Sequence, residues 1–289
     1  MNKLVTVTNK EILSKLKKED VTKVYPLRFF SVGYNEYFDI SEIDDFCLIN
    51  RILTDDDLDK LDNILKNSNI KGILFDDLGV LDIIKNLNIT KIFIGDHINN
   101  NASSINYYLD YVDSIVVSSD ITYDEIKYIT EHVKKDVVIY TFGLKALMYS
   151  RRNLLHNYEE YYNLEKDNEM NTSINDKHFK VIESNFGTRI YAYPFYYDER
   201  LKDLDHVLYN WYDVNTLDND KIISVINDDL SNVPVSNIFL NKKTVFKVGD
   251  LDAWVTCTRW GFWKNEVCIP LWCRCNLLWW TKLFSKSKC

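Results

Sequence analysis

Four segments of this 289-residue chain place side chains able to move protons or hold anions directly after apolar runs. Asp76-Asp77-Leu78-Gly79 follows GILF, Gly95-Asp96-His97 follows KIFI, Ser118-Ser119-Asp120 follows SIVV, and Phe142-Gly143 follows the run from Val137 to Thr141. His97 is the histidine best placed for acid–base work, because an unperturbed imidazole titrates near neutrality. Asp77 and Asp120 could orient a water or take its proton, and each could equally cap the helix that follows it. Arg151, Arg152 and Arg189 are the candidate anion contacts, since guanidinium pairs with carboxylate or phosphate through two parallel hydrogen bonds. No phosphate loop, H-E-x-x-H helix, G-x-S-x-G elbow or G-x-G-x-x-G turn occurs, which removes support for ordinary nucleotide, zinc-protease and serine-hydrolase chemistry.

These residues need strands behind them. Residues 1–150 alternate short apolar runs with amphipathic stretches, the pattern of β-α units feeding a parallel sheet. The expected strands are Leu4–Thr8, Val24–Phe30, Phe46–Ile49, Gly72–Phe75, Lys91–Ile94, Ser114–Val117 and Val137–Thr141. Their continuous apolar character suits strands covered on both faces. Thr54 with Asp57, and Thr122 with Glu125, have capping-box spacing and predict helix starts. Leu58, Leu61 and Leu65 then share one helical face, as do Tyr123, Ile126 and Ile129, and both stripes read as core. In such an architecture ligands meet the C-terminal ends of strands, where the four segments lie.

Residues 159–178 are polar and without period, and read as a loop. FKVIESNFGTRIYAYPF predicts a hairpin turning at Asn185-Phe186-Gly187, followed by a β/α pair at His206–Trp211 and Lys221–Asn227.

Composition sets outer bounds. With 46% hydrophobic residues the chain can bury a sizeable core. The N-terminus shows no signal-peptide apolar stretch, and no uncharged apolar run reaches the ~18 residues of a membrane span, so a cytoplasmic location and no membrane partner are expected. Residues 1–250 carry 29 basic and 41 acidic side chains, an acidic body that argues against non-specific nucleic-acid binding. Residues 251–289 form a distinct basic tail with six of the seven Trp and five of the six Cys. It reads as a lineage-specific extension or a frameshifted end. The spacing of Cys257, Cys268, Cys273 and Cys275 does not match paired zinc knuckles, and no metal site is expected there.

Across roughly residues 45–250 the order of motifs resembles the peptidase U32 family, the collagenase-like peptidases. GILFDDLGVLDII, FIGDHINNNASSINYYLD, SIVVSSDITYDEI and YTFGLKALMYSRRNLLHNY carry the resemblance, with FKVIESNFGTRIY and FLNKKTVFKV in similar later places. The family signature has the form H-G-x-x-C-x-x-x-S-G-R-C. Gly143, Ser150 and Arg152 hold their places here, while Ala146 and Asn153 stand at the two cysteine positions and Arg151 at the second glycine. The resemblance implies a TIM-like (β/α) barrel, abbreviated or irregular given the polar gap at 159–178, over residues 1–250. It implies a hydrolase, nominally a protease, although family members also act in oxygen-independent hydroxylation of RNA bases and of a quinone precursor. Members that use an iron–sulfur cluster need cysteine ligands. Residues 1–250 offer only Cys47, so no cofactor is expected. The site this predicts is lined by Asp77, His97 and Asp120 as catalytic groups and by Ser150, Arg152 and Arg189 as substrate contacts. The substrate would be a peptide or an RNA. The alternatives are a cluster-free subunit working with another family member, and a non-catalytic binding protein.

Overall fold

The computed structural model describes residues 2–241 apart from 96, 175 and 238, so the tail at 251–289 and its cysteines lie outside the described residues. Eight parallel strands close into a barrel with helices between them, the TIM-like fold expected. They are β1 (Lys3–Thr6), β2 (Thr22–Pro26), β3 (Phe46–Ile49), β4 (Gly72–Phe75), β5 (Thr90–Phe93), β6 (Ser114–Val117), β7 (Val137–Ser150) and β11 (Val207–Tyr212). β11 pairs with both β1 and β7 and seals the ring.

Alternation along each strand sorts the apolar runs into two layers. Leu4, Val24, Phe46, Leu48, Leu74, Ile92, Val116, Val138 and Trp211 pack together inside the barrel. Their neighbours Val5, Tyr25, Cys47, Ile73, Phe93, Ile115, Ile139 and Tyr212 join the layer beneath the helices. Both faces are therefore buried, as the unbroken apolar runs require.

The helices begin where their caps dictate. Thr54 accepts from the Asp57 amide at the start of α2 (Asp55–Lys66), and Thr122 from the Glu125 amide at the start of α5 (Tyr123–His132), each with the reciprocal carboxylate bond of a capping box. Leu61 and Leu65, Ile126 and Ile129 are buried on the predicted faces. α1 (Lys10–Leu16), α3 (Val80–Ile84), α4 (Ala102–Tyr108) and α7 (Asn219–Ile226) complete the outer layer around the barrel. The barrel is irregular between β2 and β3, where the chain makes only a 3-10 turn at Ile40–Glu42 and instead brings Tyr34 onto the inner cluster. The strand expected over Val24–Phe30 ends at Pro26, and Phe29 adopts φ 69.

β7 continues beyond the barrel. Its first part pairs parallel to β6 and β11; its remainder pairs antiparallel to β10 (Gly187–Tyr197). The change of partner passes through Gly143, at φ 152, where a Cβ would stand 2.1 Å from the Tyr140 hydroxyl and 2.8 Å from the Asp213 carbonyl oxygen. Only glycine fits there.

The predicted hairpin is β9 (Lys177–Ser184) with β10, and the predicted β/α pair is β11 with α7. Residues 159–178 are not a loop, contrary to expectation. They hold the end of α6 (Leu154–Tyr162), the edge strand β8 (Glu169–Ile174) and the start of β9. Met170 and Ile174 pack toward Leu155, Phe179, Val181 and Ile190 beneath α6, with Thr172 buried between them, while Asn171 and Ser173 face outward and hide the alternation. A short β12 (Val235–Ser236) pairs with β10.

Candidate active site at the barrel mouth

A cavity of about 440 Å³ opens at the C-terminal ends of the barrel strands. Tyr34, Asn50, Asp76, Lys145, Arg189 and Asp213 supply its polar groups, and Tyr140 and Trp211 stack edge-on in its wall with ring centroids 5.2 Å apart. A larger groove, about 750 Å³, lies between the antiparallel sheet and residues 216–221 and 232–234. The smaller cavity is the candidate site, because strand ends converge on it and buried charges line it.

Asp213 follows the inward Trp211 by two residues, so the pleat turns it to the inside as well. It is 7% exposed: the Tyr34 hydroxyl donates to Oδ2 at 3.2 Å, the Asn215 amide to Oδ1 at 3.3 Å, and the Thr6 side chain also hydrogen-bonds to it. Burial pushes its carboxyl up to about 6, against the pull of those hydrogen bonds and of the Arg189 cation. The Tyr34 and Tyr191 phenols are also pushed up by burial and stay neutral donors. Tyr191 donates to the Gly33 carbonyl at 3.1 Å, fixing the β2–β3 connection against β10.

Arg189 reaches the cavity from β10. Its Nη2 donates to the Asn50 carbonyl at 3.0 Å, and its guanidinium lies 5.6 Å from the Tyr149 ring centroid. Burial works against the charge, but Tyr191, Asp76 and Tyr34 outweigh it and keep the guanidinium firmly protonated. The guanidinium also hydrogen-bonds with Tyr191, while its Nε is buried with no hydrogen-bond partner among the described residues.

A second group of charges runs from the cavity to solvent. Lys145, 1% exposed on β7, donates to Ser119 Oγ at 2.6 Å and pairs with Asp120 Oδ1 at 3.1 Å. Asp120 Oδ2 lies 3.2 Å from Nδ1 of the exposed His97, which stands at the rim. Thr122, not Asp120, caps α5.

Of the predicted site residues, His97 and Arg189 line the cavity, Asp120 stands outside its lining and reaches it through His97 and Lys145, and the other three are set apart. Asp77 spends both oxygens on backbone, accepting from the Leu53 and Gly79 amides at 2.9 Å each, and does not line the cavity. That is a turn-stabilising arrangement. Ser150 lies at the outer end of β7, where its Oγ accepts from the Arg152 amide at 3.2 Å, and Arg152 is exposed there. Arg151 is exposed beside it.

Sequence reasoning missed Lys145, Asp213, Tyr34 and Asn50. The strand-end rule, extended past Trp211, reaches Asp213. Lys145 lies inside the signature-like segment, at one of its variable positions. Nothing local marks Tyr34, which arrives on a connection without a helix.

An iron–sulfur cluster does not fit the described residues. Ala146 lines the cavity and Asn153 is exposed ahead of α6, so the two signature thiol positions hold no ligand. Cys47 sits in the layer outside the barrel, its thiol pushed up to about 12 by burial. Among the described residues no group of three or more His, Cys, Asp or Glu is placed to hold a metal, and no helix is long and apolar enough to cross a membrane.

Fold and cavity together define a β/α-barrel protein with a charged, partly aromatic site at the strand C-termini. Over residues 36–170 the chain matches peptidase family U32, the family its motifs resemble. The matched stretch holds Asp76, His97, Asp120 and Lys145, whereas Arg189 and Asp213 fall beyond it. No curated protein and no solved structure matches the chain.

Proposed function

We propose that the barrel mouth hydrolyses peptides in the cytoplasm, with Asp213 as its acid–base group. The observation that carries this reading is a buried carboxylate with a pKa of about 6, facing a cavity that also presents Arg189 and Lys145. Acid–base groups work best when their pKa lies near the operating pH. Ionised Asp213 takes a proton from a water as its oxygen bonds to the peptide carbonyl carbon. The oxyanion is met by the guanidinium of Arg189. Asp213 then returns the proton to the amine as the C–N bond breaks, which restores the starting state. Tyr34 and the Asn215 amide hold the carboxylate in place.

Cleavage of a peptide pool across pH 5–9 tests this. Turnover should rise through about pH 6, and Asp213→Asn should lower kcat by about 10²–10⁴-fold. Unchanged turnover in that variant, or no cleavage at any pH, overturns the reading.

Ala146 and Asn153 at the thiol positions favour a second reading, a cluster-free subunit that holds an RNA or a small precursor for a cysteine-bearing family member. Co-purification with such a homologue or with RNA supports it; a homogeneous protein with peptidase activity sinks it.

A further inference from the structure

Three successive strand-end loops each raise one branched aliphatic side chain into the rim of the cavity. Ile52 follows β3, Leu78 follows β4 and Ile98 follows β5; they are 52%, 44% and 39% exposed, and all three line the cavity that contains Arg189 and Asp213. Leu147 of β7 also lines it. Folding gains little from apolar surface left in water, so core packing does not account for this crescent. Apolar surface rimming a cavity with a few fixed polar groups has the form of a ligand groove.

We infer that the crescent of Ile52, Leu78 and Ile98 is a specificity subsite for an aliphatic side chain flanking the bond held at Asp213. The inference rests on the reading of the mouth as a peptide site and adds the kind of peptide. The occupant follows from continuity: a chain whose carbonyl reaches the buried Nε of Arg189 must leave the cavity past the rim. An aliphatic residue there is covered by apolar surface, while a serine in its place gains nothing. Burying one leucine side chain favours the leucine peptide about tenfold or more.

Two fluorescein-labelled pentapeptides, identical except for a central leucine or serine, test this by anisotropy on the full chain, with Asp213→Asn included to separate binding from turnover. The wild-type chain and Asp213→Asn should both bind the leucine peptide about tenfold tighter. The triple variant Ile52→Ser, Leu78→Ser, Ile98→Ser should bring the two affinities within about twofold. Its thermal midpoint should hold, because all three side chains are already exposed. Equal affinities in the wild type, binding of neither peptide, or a preference that survives the triple variant overturns the inference. So does a wild-type dimer that the triple variant dissociates, since the crescent would then be covered by a second copy. A rim-dependent leucine preference without cleavage of any peptide keeps the subsite and removes the hydrolytic reading; cleavage without that preference does the reverse.

Discussion

Glu183 and Asp213 are both buried carboxylates, and the chain treats them in opposite ways. Glu183, on β9, is surrounded by donors: the Leu155 amide at 2.7 Å, the His156 amide at 3.0 Å, the Thr188 hydroxyl, and the His156 ring at 3.1 Å. It stands at the N-terminus of α6, where Asn153 makes no side-chain cap, and so anchors that helix to the antiparallel sheet. Asp213 is met by the Tyr34 hydroxyl at 3.2 Å, the Asn215 amide at 3.3 Å and the Thr6 hydroxyl, and its pKa is still raised by burial. One carboxylate is spent on a helix end through short bonds; the other is held by longer bonds beside a cavity, where burial outweighs them. Burial alone therefore does not mark a functional group. The count and length of its hydrogen bonds do.

Breaking the Glu183 cluster should have the largest effect. Glu183→Ala leaves two helix amides without their acceptor, and urea unfolding should show a loss of about 3–5 kcal/mol. A loss under about 1 kcal/mol would mean that water or another group caps α6 and would dissolve the contrast.

Asp213→Asn should move stability the other way at neutral pH. The folded pKa of about 6 exceeds the ordinary aspartate value of 3.8, so between those values the folded state binds more protons than the unfolded chain. Stability from this group is fully present below about pH 4 and falls by about 3 kcal/mol as pH rises through about 6. The asparagine variant should lack that decline. Urea curves at pH 4 and pH 7 decide it, and parallel declines in both proteins would place the titration elsewhere.

Asp57 provides a carboxylate that behaves like Glu183 near the surface. Burial opposes its charge, but the Thr54 amide and Arg51 win and hold its pKa at about 2. Asp57→Asn should cost about 2 kcal/mol at pH 7, a difference that vanishes as pH falls from about 4 through about 2. The smallest effects are expected at Ser150 and Arg152: alanine there should shift stability by under about 0.5 kcal/mol and leave peptide affinity at the mouth unchanged. A weakened affinity in either variant would bring the outer end of β7 into the site.

Much of the barrel was legible because its signals are local. Phe46–Ile49, Gly72–Phe75 and Ser114–Val117 are strands over those exact residues, and Thr54 and Thr122 cap their helices as their spacing predicts. β8 was illegible because an edge strand can carry Glu169, Asn171 and Ser173 outward without cost, which removes the apolar run that marks the inner strands. The site divides along the same line. His97 and Asp120 lie just past apolar strands and could be read there. Asp213 and Lys145 depend on which strands become neighbours: Lys145 meets Ser119 across the β6–β7 strand ends, and Asp213 meets Tyr34 from a connection 179 residues away. No short window of sequence contains either meeting.

The seal made by β11 also sets an order of events. β1 at Lys3–Thr6 and β7 from Val137 both wait for Val207–Tyr212, since the β8–β10 excursion intervenes before the last strand. A nascent chain that has emerged only through β10 holds seven barrel strands with two open edges, the arrangement in which strand edges are most prone to pair with the wrong chain. The ring closes only through contacts between residues about two hundred positions apart, the kind of long-range closure that slows folding. Asp213 lies one residue past that last barrel strand, so the mouth acquires this buried carboxylate only as the barrel shuts.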